Sequence, residues 1–116
     1  MVPRTCNTTG WPMHSIAEIF AAMGNTRRLQ ALMYLEKGEA TVNQMADAIG
    51  LTQSCLSQHL AVLRRSNLVR TRRNAQTIYY ALDSEPMARI LGLLSEMYEG
   101  DPRVMDEEEN YPEHSL

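Results

Sequence analysis

The stretch TVNQMADAIGLTQSCLSQHLAVLRR, residues 41–65, decides the fold of this chain. Apolar residues recur at helical spacing on both sides of Gly50, which predicts two short amphipathic helices separated by a break. Thr41 and Thr52 stand where the N-caps of these two helices are expected. Two short helices joined by a tight turn that contains glycine are the pattern of a helix-turn-helix.

Downstream of this stretch the apolar period changes from about 3.6 to 2. Leu68–Arg72 and Gln76–Leu82 are rich in β-branched and aromatic residues, and Arg73–Ala75 lies between them, which predicts a β-hairpin with a basic tip. A helix with a long apolar stripe follows from about Glu85 and ends at Gly100.

Two further helices are predicted upstream. Ser15, with Glu18 three residues later, resembles a capping box for the first, which ends at Gly24. Thr26 is the predicted cap of the second, which ends near Gly38. The order helix, helix, helix-turn-helix, hairpin, helix predicts a mainly α (α+β) winged helix with a two-stranded β wing.

Length and composition predict one globular domain. The chain has 116 residues, of which 44% are hydrophobic and 22% charged. Residues 15–99 form the predicted domain, residues 1–14 a flexible arm, and residues 100–116 an acidic disordered tail. The sequence has no apolar run long enough for a membrane span and no apolar signal core, so a cytoplasmic protein is expected. Two cysteines are too few for a disulfide scaffold.

The net charge of −3 conceals a strong asymmetry. Residues 25–82 hold eight basic side chains against three acidic ones, for +5, whereas residues 83–116 hold two against ten, for −8. Five arginines fall within ten residues that contain no acid: Arg64, Arg65, Arg70, Arg72 and Arg73. Such a block creates a local positive field that suits nucleic acid, although a solvated arginine-rich face is the alternative.

The second helix of the helix-turn-helix separates into two faces. At about 100° per residue, Leu56, Leu60 and Leu63 share one narrow arc and face the core. Small hydroxyl, amide and guanidinium groups point away, and these groups can read base edges in the major groove. With phosphate contacts from the helix end and the wing, the predicted DNA-binding residues are Gln53, Ser54, Ser57, Gln58, His59, Arg64, Arg65, Arg72, Arg73, Gln76 and Thr77.

The first and last helices carry more apolar surface than so small a core can cover. A homodimer paired through these helices would bury it and set two recognition helices about one DNA turn apart, on a pseudo-palindromic operator. The predicted dimer-interface residues are Ile16, Ile19, Phe20, Met23, Ile90, Leu91, Leu94, Met97 and Tyr98.

Residues 26–82 resemble the ArsR/SmtB-type bacterial repressors, through TRRLQAL at 26–32 and LTQSCLSQHLAVLR at 51–64. The segments RRNAQTIYY at 72–80 and ILGLLSEMY at 90–98 are similar to the NolR-like and HlyU–BigR–SqrR subgroup of that family. The resemblance implies a homodimer that binds double-stranded operator DNA and represses transcription.

The sensing chemistry of the family does not carry over. The Cys-x-Cys box of metal-sensing members is absent, and the residues that match the persulfide-sensing dithiol are Met33 and Glu99. No metal or cofactor is therefore expected, and the inducer is not identified by the sequence.

Cys55 leaves two interpretations open. It is a small residue in the first turn of the recognition helix, or a possible redox site whose thiol is activated by the helix dipole and nearby arginines. The alternatives to a DNA-binding regulator are a thiol-based redox or sulfide-responsive sensor-repressor that uses Cys55, and an interaction adaptor that does not bind DNA. An enzyme is not expected, because the sequence has no nucleophile–base pair and no phosphate-binding loop.

Overall fold

The computed structural model describes residues 10–83 and 85–99. In these residues five helices and three strands follow the predicted order. They are α1 (Met13–Met23), α2 (Thr26–Glu36), β1 (Ala40–Thr41), α3 (Val42–Ile49), α4 (Gln53–Arg65), β2 (Val69–Asn74), β3 (Thr77–Leu82) and α5 (Glu85–Tyr98). None of these helices has the length and apolar character required to cross a membrane. The predicted winged-helix architecture is confirmed.

The two helices of the helix-turn-helix begin at the predicted caps. The Thr41 hydroxyl accepts the N–H of Gln44, whose side chain accepts the N–H of Thr41 in return, a complete capping box. The Thr52 hydroxyl accepts the N–H of Cys55 at 3.1 Å. Between the helices, Gly50 adopts φ +87°, a left-handed conformation that glycine reaches without strain. Local chemistry alone therefore sets both ends of the turn.

The two upstream caps were predicted wrongly. α1 begins at Met13, directly after Pro12, so Ser15 lies inside the helix and Glu18 faces His14 at 3.4 Å instead of closing a capping box. α2 is capped by Asn25, whose side-chain oxygen accepts the N–H of Arg28, one residue before the predicted Thr26. Asparagine stabilises an N-cap at least as well as threonine does.

The sheet contains one strand more than the predicted two-stranded wing. Its order is β1-β3-β2, all antiparallel, and β1 is a two-residue strand that pairs Thr41 with Tyr79. The wing turn lies at Ala75–Gln76, because Asn74 pairs with Thr77 and extends β2 beyond the predicted end. Ala75 has φ +60°, so a residue other than glycine or asparagine occupies the strained turn position.

A single core joins all of these elements. Leu56, Leu60 and Leu63 of α4 are fully buried, as the helical-wheel calculation predicts, and they pack in one cluster with Leu32 of α2 and Leu91 of α5. This cluster fixes the rotation of α4 about its axis. Residues 1–9 of the predicted arm and the whole predicted tail, residues 100–116, lie outside the described residues.

Candidate nucleic-acid interface

The outward face of α4 carries hydroxyl and amide groups that can read base edges. Gln53, Ser54, Ser57 and Gln58 are all exposed. Because the leucines on the opposite face are buried, these side chains project from a helix that the core holds in one orientation. α4 bears no acidic side chain, and none of its side chains would repel phosphate.

The C-terminal end of α4 carries two cations. Arg64 and Arg65 occupy its last turn and are exposed, where positive charge also offsets the helix dipole. Asn67 follows at φ +62°, and the N–H of Leu68 donates to the carbonyl of Leu63 at 2.9 Å. This left-handed residue ends the helix and turns the chain into the wing, so the helix end and the wing are linked by three residues.

His59 does not belong to the exposed face. Only 5% of it is exposed, and its Nε2 has no hydrogen-bond partner among the described residues. Burial, together with the positive charges of Arg28 and Arg27 on α2, lowers the pKa of His59 below its ordinary value. The prediction that His59 reaches DNA is therefore not retained: the side chain packs in the interior, where burial and the two arginines favour its neutral form.

The two wing arginines lie on opposite faces of the hairpin. Side chains alternate along a strand, and Arg73 pairs with Ile78 whereas Arg72 pairs with Tyr79. Arg73 is exposed and makes no hydrogen bond or ion pair with any described residue. Its guanidinium is therefore accessible to a phosphate group.

Arg72 is engaged within the protein. Its Nε lies 3.0 and 3.1 Å from the two carboxylate oxygens of Glu39, and its terminal nitrogen also donates to that carboxylate. The guanidinium carbon lies 4.5 Å from the centre of the Tyr79 ring. The hydrogen bond from Arg72 lowers the pKa of Glu39, and the same bond raises the pKa of Arg72. Glu39 was missed by the sequence reasoning, because 33 residues separate it from its partner.

The remaining candidate residues near this surface differ in exposure. Gln76 and Thr77 are exposed at the wing turn, in reach of solvent. Cys55 is half-buried and has a free thiol, and its backbone N–H donates to the hydroxyl of Thr52. In residues 10–83 and 85–99, no group of three or more histidine, cysteine or acidic side chains is placed to hold a metal ion.

A second surface consists of apolar side chains on α1 and α5. Phe20 and Met97 are each 59% exposed, and Ile16, Ile19, Leu94, Ile90 and Tyr98 of the predicted interface are half-buried or exposed. Met23 and Leu91 are instead buried in the core of the single chain, so they do not reach this surface. Leu93, 56% exposed, was missed, although the helical wheel places it beside Met97.

Comparison with known proteins assigns the chain to a family. The sequence profile of "Bacterial regulatory protein, arsR family" matches residues 25–71, from the cap of α2 into β2. The nodulation protein NolR of Rhizobium meliloti is 49% identical over 98 residues, which cover 81% of this chain and 80% of that protein. The transcriptional activator HlyU of Vibrio cholerae is 45% identical over 80 residues, covering 69% of this chain and 74% of that protein.

A solved structure agrees with the sequence matches. The homodimeric winged helix-turn-helix DNA-binding domain of a possible ArsR-family transcriptional regulator from Mycobacterium bovis superposes with a TM-score of 0.68 at 31% identity. The match covers 90% of this chain and 90% of that one. The helix order, the wing and the matched sequence agree, and the chain belongs to the ArsR family of bacterial regulatory proteins.

Proposed function

We propose that the protein is a sequence-specific, DNA-binding transcriptional regulator that acts as a homodimer on a pseudo-palindromic operator. The observation that carries this proposal is the two-sided character of α4. One side is fixed by three fully buried leucines, and the other exposes hydroxyl and amide groups, with two arginines at the helix end. The family relationship supports the same function, since its relatives are named as transcriptional regulators.

Base recognition is assigned to α4. Gln58 projects from the middle of the exposed face and can bond an adenine edge through two hydrogen bonds, while Ser54 and Ser57 accept either kind of base. Gln53 lies at the start of the helix, the end that enters the groove first in helix-turn-helix proteins. This face supplies the sequence preference.

Phosphate contacts are assigned to the exposed arginines. Arg64 and Arg65 extend from the end of α4, and Arg73 extends from the wing. Each neutralised phosphate releases condensed counterions, so binding weakens as salt increases. Gln76 and Thr77 are secondary candidates at the wing turn.

Dimerisation is assigned to the apolar surface of α1 and α5. Large side chains such as Phe20, Leu93 and Met97 are more than half exposed in the single chain, and burial against a second copy would stabilise the pair. The relative from Mycobacterium bovis is described as a homodimer, which supports the same arrangement here. A twofold dimer places two α4 helices about 34–36 Å apart, one turn of DNA.

We propose no catalytic reaction for the chain, and we propose that it acts in the cytoplasm, where the bacterial chromosome lies. A dimer bound over a promoter would exclude RNA polymerase, so repression is the proposed outcome. A reporter gene placed behind the operator tests this direction. Expression should fall when the protein is present, and a rise would identify an activator, as HlyU is named.

The binding itself is tested with a labelled pool of random-sequence duplexes of about 30 base pairs, long enough for two half-sites one turn apart. Affinity should fall steeply as salt increases, with several phosphate contacts contributing to the slope. A variant in which Gln53, Ser57 and Gln58 are alanine should keep this slope but lose preference for selected sequences. No binding at low salt, or binding indifferent to salt, would contradict the proposal.

A further inference from the structure

We propose that Glu39 is a positioning residue that holds the wing through Arg72, and that it leaves Arg73 as the phosphate-binding arginine of β2. This inference rests on the proposed DNA-binding function and concerns how the wing is presented to DNA. It assigns a role to a residue in the loop between α2 and β1, outside both the recognition helix and the wing.

The position of Glu39 follows from the sheet. Glu39 directly precedes β1, and β1 pairs Thr41 with Tyr79 on β3. Tyr79 in turn pairs with Arg72 on β2, so one row of residues crosses all three strands. The pairing of β1 therefore fixes the backbone position of Glu39. The carboxylate of Glu39 contacts the Arg72 guanidinium on the wing face that also carries Tyr79.

The contact has the geometry that makes an exposed ion pair effective. An isolated surface pair contributes little, because two flexible side chains must be held in one arrangement. Here two guanidinium nitrogens engage the carboxylate, and the guanidinium also rests on the Tyr79 ring. A planar guanidinium held at its edge and on its face has few alternative orientations.

The tip of the wing has little packing of its own. The tip of the hairpin, from Arg73 to Ile78, is exposed throughout, and a two-stranded hairpin is marginally stable without packing. β2 is also an edge strand of the described sheet. The pair between Glu39 and Arg72 connects β2 to the body of the domain one residue before this exposed tip.

The arginines of β2 differ in whether an acidic side chain neutralises their charge. Arg70 lies 3.9 Å from the Asp83 carboxylate and donates to the carbonyl of Leu82, and Arg72 is neutralised by Glu39. Arg73 has no acidic partner among the described residues. The wing thus presents one unpaired cation near its tip, in an orientation set by Glu39.

Glu39→Gln tests the proposal by removing the charge while keeping the shape of the side chain. Arg72 is then released and can contact phosphate, so the magnitude of the salt slope on random duplex should rise by about one unit. Because the wing is no longer held, the ratio of affinity for the selected duplex to affinity for random duplex should fall about five- to tenfold. This loss corresponds to the low end of what one mismatched base pair costs.

Two further variants separate this role from simple charge removal. Glu36→Gln removes one negative charge three residues away, at a side chain that makes no hydrogen bond or ion pair with the described arginines of β2, and should leave the ratio unchanged. The double variant Glu39→Arg with Arg72→Glu restores an ion pair in the opposite sense and should bring the ratio back toward the unmodified value. Loss of domain stability alone would not raise the salt slope.

The outcomes distinguish this inference from the proposed function. Absence of salt-dependent duplex binding by the unmodified protein would contradict the proposed function itself. If the unmodified protein binds and Glu39→Gln behaves like Glu36→Gln in both slope and ratio, the positioning role is wrong and the proposed function stands. The positioning role would also be wrong if the double variant had an affinity ratio no higher than that of Glu39→Arg alone or of Arg72→Glu alone.

Discussion

Two guanidinium nitrogens of Arg72 donate hydrogen bonds to the carboxylate of Glu39, whereas the neighbouring Arg73 lies on the other face of the hairpin. Two consecutive arginines that look equivalent in the sequence therefore have different roles in the fold. The paired arginine belongs to the internal structure of the wing, and the unpaired one is available to DNA.

Salt dependence should separate the three arginines of β2. Arg73→Ala should lower the magnitude of the salt slope by about one unit, because one phosphate contact is lost. Arg70→Ala is the matched control on the same strand, since Arg70 is held by Asp83 at the base of the hairpin. Arg72→Ala should also leave the slope unchanged. Anisotropy titrations at four or more salt concentrations measure these slopes, and a full unit lost with Arg72→Ala would contradict the assignment.

Gln58→Ala should relax sequence preference at one base step. Gln58 lies on the exposed face of α4, and losing a bidentate contact to a base costs about 1–3 kcal/mol. The measurement compares affinities for a panel of duplexes in which each operator position is changed in turn. Discrimination should disappear at one position in each half-site and persist elsewhere. Equal weakening across the panel would mean that Gln58 does not read bases.

A charge in the apolar surface of α5 should dissociate the dimer. Leu94→Glu places a carboxylate in the proposed seam, where burial of an unpaired charge is unfavourable. Leu94 is half-buried, so Met97→Glu provides a second variant at a site that is 59% exposed and tolerates charge in a single chain. Both should sediment as monomers and bind DNA weakly.

The control for these variants is Glu96→Gln, an exposed change on the same helix outside the apolar stripe. It should sediment like the unmodified protein. If the unmodified protein at micromolar concentration sediments as a single species of 13.2 kDa, the homodimer proposal and the palindrome both fail.

Acid should destabilise the domain through His59. The pKa of this buried histidine lies below its ordinary value of 6.5, so the unfolded chain takes up a proton more readily than the folded one. Its contribution to stability is present above pH 6.5 and is lost as the pH falls toward the pKa of the folded state. The loss is at most about 1.4 kcal/mol for each pH unit in that window.

Denaturant unfolding between pH 7.5 and about 5, the window set by the ordinary histidine pKa, measures this effect. His59→Leu should flatten the pH dependence in that range, because a neutral side chain of similar burial replaces the histidine. His14→Gln is the matched control, since His14 is exposed beside Glu18 on α1. An unchanged pH dependence in His59→Leu would show that another group titrates.

Local chemistry explains which elements could be predicted from the sequence. Thr41 and Thr52 cap their helices as expected, and the leucine spacing of α4 identified its buried face, because these features depend on near neighbours. The start of α1 was missed because Ser15 and Glu18 fit a capping box, whereas the helix begins at Met13, directly after Pro12, without a side-chain cap. The local capping pattern alone therefore does not locate the start of this helix.

Features that depend on distant partners could not be predicted. β1 has only two residues and is defined by its pairing with β3. It is too short to show an alternating apolar pattern in the sequence. The contact between Glu39 and Arg72 requires that pairing to be known first. His59 lies beside the leucine arc on the helical wheel, and its burial depends on how α4 packs against α1 and α2.

Selection from the random duplex pool tests the central claim most directly. After several rounds the enriched sequences should contain two inverted half-sites with centres about 10–10.5 base pairs apart, the spacing that a twofold pair of α4 helices requires. The Gln53, Ser57 and Gln58 triple-alanine variant should enrich no sequence. Recovery of an asymmetric site bound by one chain, or no enrichment by the unmodified protein, would contradict the claim that this protein reads a pseudo-palindromic operator as a homodimer.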